Sequence, residues 1–328
     1  MEASIIIPTH NRCEVLLQTL EALAASDYQS GQWEVLVVDD GSDDGTRERV
    51  DAWSRTTPLP LNLLSQEARG PAAARNAGAG AAKGGVLIFI DNDMLVRPDF
   101  VEQHVNSLRL HPGTWTLGRV VHPPELRATP FGRYRDDLHE AFYRAHSPDA
   151  PSETLGISAQ NLSLPASDFR RLGGFDESIT IASCEDMLLG IAARATGIRT
   201  LYHPGIVGVH NDWAVDLVSF CRRQRLYSIS DVLLWNRLRD ESPRARLVRA
   251  NTELGDGRGL VAGALRRAAK RLLATKTGDV CLRTFVRIAE RVAPDTRACR
   301  ALYDAAVATA IYQGVREGVA RHGMRRPT

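Results

Sequence analysis

The stretch Val-Leu-Ile-Phe-Ile-Asp-Asn-Asp, residues 86–93, carries five apolar residues directly into a pair of carboxylates. An apolar run of this length, rich in β-branched and aromatic side chains, predicts a strand buried on both faces of a sheet. Asp91 and Asp93 at the end of such a strand can bind a hard divalent cation, Mg²⁺ or Mn²⁺, because these ions prefer oxygen ligands. Asp and Asn are also common in turns, but the buried strand before them favours a metal site.

On either side of this stretch, the sequence alternates between short strands and amphipathic helices. Apolar runs of strand length occupy residues 4–8, 34–39 and 61–64, and helical spacing occupies residues 13–25, 46–53, 71–82 and 98–110. Asn11 and Glu14 have the spacing of a capping box at the first of these helices. The alternation predicts an α/β, Rossmann-like fold with a mostly parallel mixed sheet, in which ligands bind beyond the carboxyl ends of the strands.

The pattern changes twice further along the chain. Residues 114–165 are irregular and polar, with strand-like pieces at 117–121 and 157–164; a helix near Ser183 and strands at 200–202 and 206–210 follow. Beyond this point only helical patterns remain, with breaks near 241–243, 255–259 and 294. We therefore predict a first domain over residues 1–213 and a basic, mainly helical region over residues 214–328.

Charge divides the chain at about the same place. Residues 215–328 hold 23 Lys and Arg against 11 Asp and Glu, a net charge of +12, whereas residues 1–214 hold 18 against 28, a net of −10. Two regions of opposite sign suggest two different roles.

The five cysteines are widely spaced and lack a C-x-x-C pair. This argues against a disulfide framework or a zinc site and predicts a cytoplasmic protein, in the cytosol or at the inner face of the membrane. No apolar run approaches the ~20 residues of a bilayer span. Residues 1–8 lack a basic n-region, so we expect a first strand there and no signal peptide.

Two further stretches follow predicted strands and can bind parts of a nucleotide. In residues 37–46 paired acids and glycines follow a strand; carboxylates there can accept from a base N–H or ribose hydroxyls, although a simple turn with a helix N-cap explains the same pattern. In residues 70–78 a helix N-terminus with Arg75 one turn in can bind an anion, although Arg75 is equally compatible with an ordinary surface position.

The pair Glu185-Asp186 introduces a candidate proton acceptor. A carboxylate at a cleft can take a proton from an acceptor hydroxyl, although Ser183 with Asp186 also has the spacing of a helix-capping pair. His210, at the end of a predicted strand, can complete a metal site with the two acids at 91 and 93, although a lone histidine is more often structural.

Together these motifs, in this order, closely resemble those of the family 2 glycosyltransferases, an inverting group with the GT-A fold. The resemblance covers residues 1–213 and rests on five stretches: Ser-Ile-Ile-Ile-Pro-Thr-His-Asn-Arg (4–12), Val-Val-Asp-Asp-Gly-Ser (37–42), Gly-Pro-Ala-Ala-Ala-Arg-Asn-Ala-Gly (70–78), Asp-Asn-Asp (91–93), and Leu-Gly-Gly-Phe-Asp-Glu (172–177) followed by Glu-Asp (185–186).

The resemblance implies a role for each of these positions. The donor nucleotide would contact Pro8, Thr9, Arg12, Asp40, Arg75, Asp91 and Asn92. The metal would be held by Asp91, Asp93 and His210. The acceptor side would include Gly174, Asp176 and Glu185, with Asp186 as the general base.

The function that the resemblance implies is metal-dependent, inverting transfer from a nucleotide-diphosphate sugar to an acceptor hydroxyl of a glycan, a lipid-linked molecule or a small glycoside. No Q-x-x-R-W-type motif follows the Glu-Asp pair, which favours single transfers over processive synthesis. Two alternatives are a non-catalytic nucleotide-sugar-binding protein and a nucleotidyltransferase; Pro-Thr-His-Asn-Arg (8–12) stands where the latter would carry a Gly-rich loop. No G-x-G-x-x-G follows the first strand, which argues against a dehydrogenase.

Residues 260–273 combine an apolar face with Arg266, Arg267, Lys270 and Arg271 on the other side. Such a helix can lie on an anionic membrane surface, or it can pack on an acidic protein surface and leave its arginines in solvent. The basic charge carries no nucleic-acid-reading motif, so we expect no nucleic-acid partner.

Overall fold

The computed structural model describes residues 1–29, 31–180, 183–212, 214–238, 243–252 and 260–324. Residues 1–123 and 139–213 form one compact unit, and residues 124–138 and 214–328 form a second. The domain boundary at residue 213 stays a prediction, since residue 213 lies outside the described part.

The first unit is built on one mixed sheet of nine strands. Its strands are β1 (Ala3–Thr9), β2 (Trp33–Asp40), β3 (Leu61–Gln66), β4 (Val86–Ile90), β5 (Met94–Val96), β6 (Thr114–Val121), β7 (Ser152–Thr154), β8 (Asn161–Pro165) and β9 (Arg199–His210). The strand order is β3-β2-β1-β4-β8-β6-β9-β5, with β7 paired to β9. Strands β3, β2, β1 and β4 are parallel, whereas β8 runs antiparallel to both β4 and β6.

Helices cover both faces of this sheet. They are α1 (Cys13–Ala24), α2 (Thr46–Ser54), α3 (Pro71–Ala81), α4 (Phe100–Leu110), α6 (Ala166–Leu172) and α7 (Glu185–Ala195). One core cluster joins the sheet to α1 and α4 through residues such as Leu16, Ile88 and Phe100. The other joins it to α3, α6 and α7 through residues such as Phe89 and Leu189. The α/β fold predicted from the sequence is confirmed, and its sheet is mixed.

The predicted pair of strands at 200–202 and 206–210 is one strand, β9. Its parallel pairing with β6 shifts register between Gly118 and Arg119. At this irregularity the amide of Asn161 donates to the carbonyl oxygens of Arg119 and Ile206, at 3.0 and 3.1 Å. A buried polar side chain therefore satisfies backbone groups that the bulge leaves without ladder partners.

The prediction of a capping box at the start of α1 is wrong, and α7 begins two residues after Ser183. Helix α1 has Arg12 as its N-cap with no side-chain capping bond; instead of an Asn11–Glu14 box, Asp44 accepts from the Cys13 N–H at 3.2 Å. Helix α7 begins at Glu185, and its N-cap Cys184 makes no side-chain capping bond. A carboxylate distant in sequence replaces the local cap in the first case, which spacing along the chain cannot indicate.

The segment expected to be irregular contains a helix, α5 (Pro130–Tyr143), after a 3₁₀ turn (Pro124–Ala128). Proline at the first helical position is compatible with this start, since its missing N–H would have no helical partner there.

The second unit is helical. Its helices are α8 (Leu217–Leu238), α9 (Pro243–Ala250), α10 (Leu260–Leu273), α11 (Lys276–Val292) and α12 (Arg297–His322). A Cβ at Gly314 would lie 2.1 Å from the carbonyl oxygen of Arg225, so glycine permits the close approach of α12 to α8. Among the described helices none is long and apolar enough to cross a membrane. The predicted breaks at 241–243 and 255–259 fall almost entirely outside the described residues.

Candidate active site

The carboxyl ends of three neighbouring parallel strands bring most of the predicted residues to one edge of the sheet. Strand β1 ends at Thr9, β2 ends at Asp40, and β4 ends at Ile90, immediately before Asp91. Because β2, β1 and β4 are adjacent and parallel, these ends lie side by side. This edge is where open α/β sheets bind their ligands.

Asp91, Asp93 and His210 form a cluster in which one potential ligand atom from each residue lies within 4.8 Å of the others. Antiparallel pairing of β5 with β9 places Met94 opposite His210, and the Asn211 N–H donates to the Asp93 carbonyl at 2.7 Å. The short strand β5 therefore joins the D-x-D stretch to the end of β9. The sequence expectation that His210 lies beside the two acids agrees with this geometry.

Asp93 is buried between a guanidinium and an imidazole. One carboxylate oxygen lies 3.1 Å from the Arg12 guanidinium and the other lies 3.2 Å from His210 Nε2. Burial by itself raises the pKa of Asp93, but His210 and Arg12 outweigh it and hold that pKa below its ordinary value. Burial likewise opposes the charged form of His210, yet the adjacent Asp93 and Asp91 raise the pKa of the imidazole.

The oxygen of Asp93 that faces His210, Oδ1, is buried and has no hydrogen-bond partner among the described residues. A buried carboxylate oxygen without a hydrogen-bond partner is costly unless a ligand satisfies it. Two carboxylates, one of which carries this unsatisfied oxygen, and one imidazole form a donor set suited to a divalent cation.

Arg75 is buried and bridges two carboxylates. Its NH2 group donates to Asp91 and its NH1 group donates to Glu185, both at 2.8 Å. Burial alone would lower the pKa of Arg75, but the charges of Asp91, Glu185 and Asp186 hold it above the ordinary value. Arg75 therefore links the metal-site candidate to the Glu-Asp pair. Its predicted contact with a diphosphate stays a prediction.

Glu185 and Asp186 have different surroundings. Both oxygens of the buried Glu185 are engaged, one by Arg75 and the other by the Ser183 N–H at 2.8 Å. Asp186 is half-buried and accepts from the N–H groups of Met187 at 2.7 Å and Ala159 at 3.3 Å. Of the two carboxylates, Asp186 is thus the more accessible to a second molecule.

Asp40 organises the loop before α3. Its buried carboxylate accepts from Gln66 Nε2 at 2.6 Å and from the backbone N–H groups of Arg69 and Gly70 at 2.9 and 2.8 Å. Gly70 has φ +93°, and a Cβ there would lie 2.4 Å from the carbonyl oxygen of Thr180. Only glycine permits this backbone conformation together with such a close approach.

The opening strand contributes Pro8 and Thr9, both buried within β1. Thr9 Oγ1 accepts from Asn92 Nδ2 at 2.9 Å, and the Asn92 carbonyl accepts from Thr19 at 2.9 Å. The middle residue of the D-x-D stretch therefore holds the β4 end against β1 and α1. Its predicted donor contact is not tested by this geometry.

The loop at 172–177 is held by Asn76, a residue of the 70–78 stretch for which no role was predicted. Asn76 accepts from the Phe175 N–H at 2.9 Å and donates to the Phe175 carbonyl at 2.8 Å. A Cβ on Gly174 would lie 2.6 Å from Asn76 Oδ1. Asp176 accepts from the Ser178 N–H at 2.9 Å.

Two more residues lie at the site without having been predicted. Asp212 approaches the Arg12 guanidinium at 4.0 Å, and the ring of His122 lies 6.0 Å from that of His210, centroid to centroid. Asp212 comes two residues after the end of β9. It could have been predicted in the same way as Asp91, because polar residues that follow a strand lie at the edge of the sheet where ligands bind. His122 follows β6 in the same way.

Comparisons with known proteins give a consistent picture. Residues 4–148 match the family model described as glycosyl transferase family 2. Validoxylamine A glucosyltransferase of Streptomyces hygroscopicus subsp. jinggangensis (strain 5008) is 32% identical over 229 residues, covering 60% of this chain and 52% of the relative. The chain thus spans about half the length of this relative.

Two solved structures share the fold. The mannosyltransferase PcManGT from Pyrobaculum calidifontis, in complex with GDP-Man and Mn²⁺, superposes with a TM-score of 0.61 at 22% identity, covering 95% of this chain and 86% of that one. GalNAc-T7 with UDP, GalNAc and Mn²⁺ has a TM-score of 0.54 at 16% identity, covering 82% and 54%. At these identities the likeness shows the fold alone.

Proposed function

We propose that this chain, which matches the glycosyl transferase family 2 model over residues 4–148, transfers a sugar from a nucleotide-diphosphate sugar to an acceptor hydroxyl, with a divalent metal and with inversion. The observation that carries the proposal is the cluster of Asp91, Asp93 and His210 at the carboxyl end of β4, with ligand atoms within 4.8 Å of one another.

We propose Mn²⁺ or Mg²⁺ as the metal, held by these three residues. Two carboxylates suit either ion, and the unsatisfied Oδ1 of Asp93 supplies a buried acceptor for it. Both structural relatives described above contain Mn²⁺. When bound, the ion would neutralise negative charge on the leaving diphosphate.

The donor nucleotide is proposed to lie along the ends of β1 and β2. A carboxylate has about four acceptor sites. Three donors occupy three of these sites on Asp40, and the fourth can accept from an N–H of the base. Arg12, with a side chain 39% exposed beside Asp93, is placed to meet phosphate charge. Pro8 and Thr9 form the buried floor between these groups.

Asp186 is proposed as the general base that takes the proton of the acceptor hydroxyl. Glu185 is less suited, because it is buried and paired with the buried Arg75, whereas Asp186 is half-buried and accepts only from backbone N–H groups in its described contacts. Attack by the deprotonated hydroxyl on the face opposite the leaving group would invert the anomeric centre in one displacement. Glu185 would instead position the start of α7, which carries Asp186, with Gly174 and Asp176 lining the acceptor side.

The acceptor would be a glycan, a lipid-linked molecule or a small glycoside, and transfer would occur one sugar at a time. We also propose a cytoplasmic location, supported by five widely spaced cysteines without a disulfide between them.

The test is a donor panel. Purified protein is incubated with Mn²⁺ or Mg²⁺ and single UDP-, GDP- or dTDP-sugars, and thermal stabilisation and slow donor hydrolysis are measured with EDTA as control. We expect one donor to stabilise the protein only when metal is present, and the D93N variant to abolish that response. A GDP-mannose arm follows from the PcManGT complex, and glucose is included with each of the three nucleotides because one relative is named a glucosyltransferase.

The contrary result would be a folded protein that responds to no donor in any metal. Donor-dependent stabilisation without hydrolysis, and without transfer to any of a set of sugar, glycoside and lipid-phosphate acceptors, would instead support a non-catalytic nucleotide-sugar-binding protein.

A further inference from the structure

Helix α11 carries a second apolar face that its own unit does not cover. Phe285, Ile288 and Val292 are 59%, 52% and 79% exposed, and Cys281 is exposed one turn before them. Their spacing of four, three and four residues places them in one stripe along the helix. Leu282 and Val286, which do pack into the unit, are buried on a neighbouring face of the helix.

Helix α10 has a similar stripe. Leu265 and Leu272 are 67% and 69% exposed and lie two turns apart, with the exposed Ala268 and Ala269 between them. A tight turn joins α10 to α11: a Cβ on Gly278 would lie 2.2 Å from the Leu272 carbonyl oxygen. Two consecutive helices thus each expose large apolar side chains, whereas isolated exposed leucines need no explanation.

The same two helices are strongly basic. Residues 260–292 hold eight Lys and Arg against two Asp and Glu, a net charge of +6. Lys276, Arg287 and Arg291 are exposed on α11. Of the two acids, Asp279 is paired with Arg283 at 2.8 Å and Glu290 accepts from the Tyr303 hydroxyl at 2.7 Å. Both acids therefore interact with other residues of the second unit. The predicted basic positions 266 and 267 lie outside the side chains that the structure describes.

We propose that the exposed stripes of α10 and α11 form a docking surface for an anionic lipid bilayer, with Phe285, Ile288 and Leu272 entering the boundary between headgroups and acyl chains. Exposed apolar side chains beside arginines are the composition of helices that lie in a membrane interface, because arginine can bind lipid phosphates while apolar groups leave water. A second copy of the chain is a less suitable partner. Each copy would bring residues 260–292, with a net charge of +6, to the same contact, and the two copies would repel each other.

The first experiment is co-sedimentation of the full chain with phosphatidylcholine vesicles that contain or lack one third phosphatidylglycerol, at low salt. We expect binding to the anionic vesicles only, and weaker binding at high salt because surface charge is screened. The F285S/I288S variant should bind at least about tenfold more weakly, as loss of apolar insertion requires. Its matched control is L110S, which replaces a leucine that is 75% exposed in the first unit.

A second arm tests the charge. R287E/R291E should lose binding to anionic vesicles, whereas R47E/R55E, with the same charge change on α2 and at its C-cap, should retain it. Because Cys281 is the exposed cysteine of the stripe, an environment-sensitive dye on it should shift to the blue with anionic vesicles. The same dye on an L110C/C281S protein should not shift.

Three results would overturn the proposal: absence of binding by the wild-type chain, equal loss of binding in F285S/I288S and L110S, or a wild-type dimer in light scattering that F285S/I288S converts to a monomer. The last would assign the stripes to a second copy of the chain. None of these readouts requires a sugar donor, so the proposal stands or fails apart from the proposed enzymatic function.

Discussion

The two units depart from ordinary burial in opposite directions. The first unit buries charged groups: Arg75, Asp93 and Glu185 are 4%, 3% and 3% exposed. The second exposes large apolar groups, with Phe285 59% and Val292 79% exposed. Buried charges are costly unless paired, and exposed apolar stripes are costly in contact with water. The first departure lies at the proposed donor and metal site, and the second forms the proposed membrane-docking surface.

The comparison also separates two kinds of binding surface. At the sheet edge the buried groups constrain one another, since Arg75 holds two carboxylates and Asp93 lies between Arg12 and His210. Such a site can be specific, because Arg75 and Asp93 are each held between two fixed neighbours. Among the described side chains, the stripes of the second unit carry no comparable polar network, so the proposed docking surface would select a class of surface and not a single molecule.

The largest effect is expected from D186N. Removing the proposed base should lower kcat by about 10³-fold, while donor and metal still stabilise the protein, because Asp186 is not among the proposed donor or metal ligands. Steady-state rates and thermal shifts measured on the same preparation separate the two effects. D51N, which removes an exposed carboxylate on α2, is the control. Near-wild-type turnover in D186N would contradict the base assignment.

The next effect tests the cost of the buried charges. R75M should destabilise the protein by about 3 kcal/mol or more, because it leaves the buried Glu185 without its cation. The exposed pair Arg55–Asp51 provides the matched comparison, and R55M should cost less than about 1 kcal/mol. Urea unfolding of both variants measures the difference. If R75M were as stable as R55M, the buried network would not be what holds the site together.

A smaller effect concerns pH. His104 is fully buried, and burial lowers its pKa to about 3. Its ring nitrogens lie 2.8 Å from Ser163 Oγ and 2.8 Å from Asn161 Oδ1. Since the Asn161 amide nitrogen donates to two carbonyls, its Oδ1 accepts, and the neutral ring then has Nε2 as donor and Nδ1 as acceptor.

Because this folded-state pKa lies below the unfolded value, the unfolded chain binds the extra proton. The contribution of His104 to the free energy of unfolding is therefore complete above pH 6.5. It falls by about 1.4 kcal/mol for each pH unit below that value, and the decrease ends near pH 3. Unfolding of wild type and H104Q between pH 4.5 and 7.5 measures the contribution. If the free energies of unfolding of the two proteins changed in parallel with pH, His104 would not be the cause of the pH dependence.

The smallest effect sharpens the other half of the comparison. F285S/I288S should change the free energy of unfolding by less than about 0.5 kcal/mol in lipid-free buffer, since both side chains are exposed. L282S, on the packed face of the same helix, should cost at least about 2 kcal/mol. Thermal or urea unfolding separates them. A large loss in F285S/I288S would mean that the stripe is part of the core.

Much of the site could be predicted because its residues follow strands directly. Asp40 and Asp91 stand at the ends of apolar runs, and parallel strands bring such ends together, so local pattern was enough. His210 was harder to place, because its position depends on the three-residue strand β5, whose pairing is not visible in periodicity. Asn161 was missed entirely, since its role at the β6–β9 bulge arises only when three strands are assembled.

Other misses have a similar cause. The Asp44 contact to Cys13 replaced the expected local cap because a carboxylate from the next loop reaches the helix start. Helix α5 was hidden in a segment whose polar and proline-rich composition suggested a loop. Phe131 and Tyr134 of this helix are buried in the second unit's cluster with Tyr303, a contact across more than 150 residues that no local pattern records.

The pairing of β6 with β9 has a consequence for how the protein is made. Strands β1, β2 and β4 are complete once residue 90 has been synthesised, but His210 arrives 120 residues later, on a strand that must pair with β6 and β5. Chains fold from the N-terminus during synthesis. The carboxyl ends of β1, β2 and β4 can therefore assemble on the ribosome while the proposed metal site still lacks its third side chain. A nascent chain thus acquires its complete set of proposed metal ligands only after the whole sheet has closed.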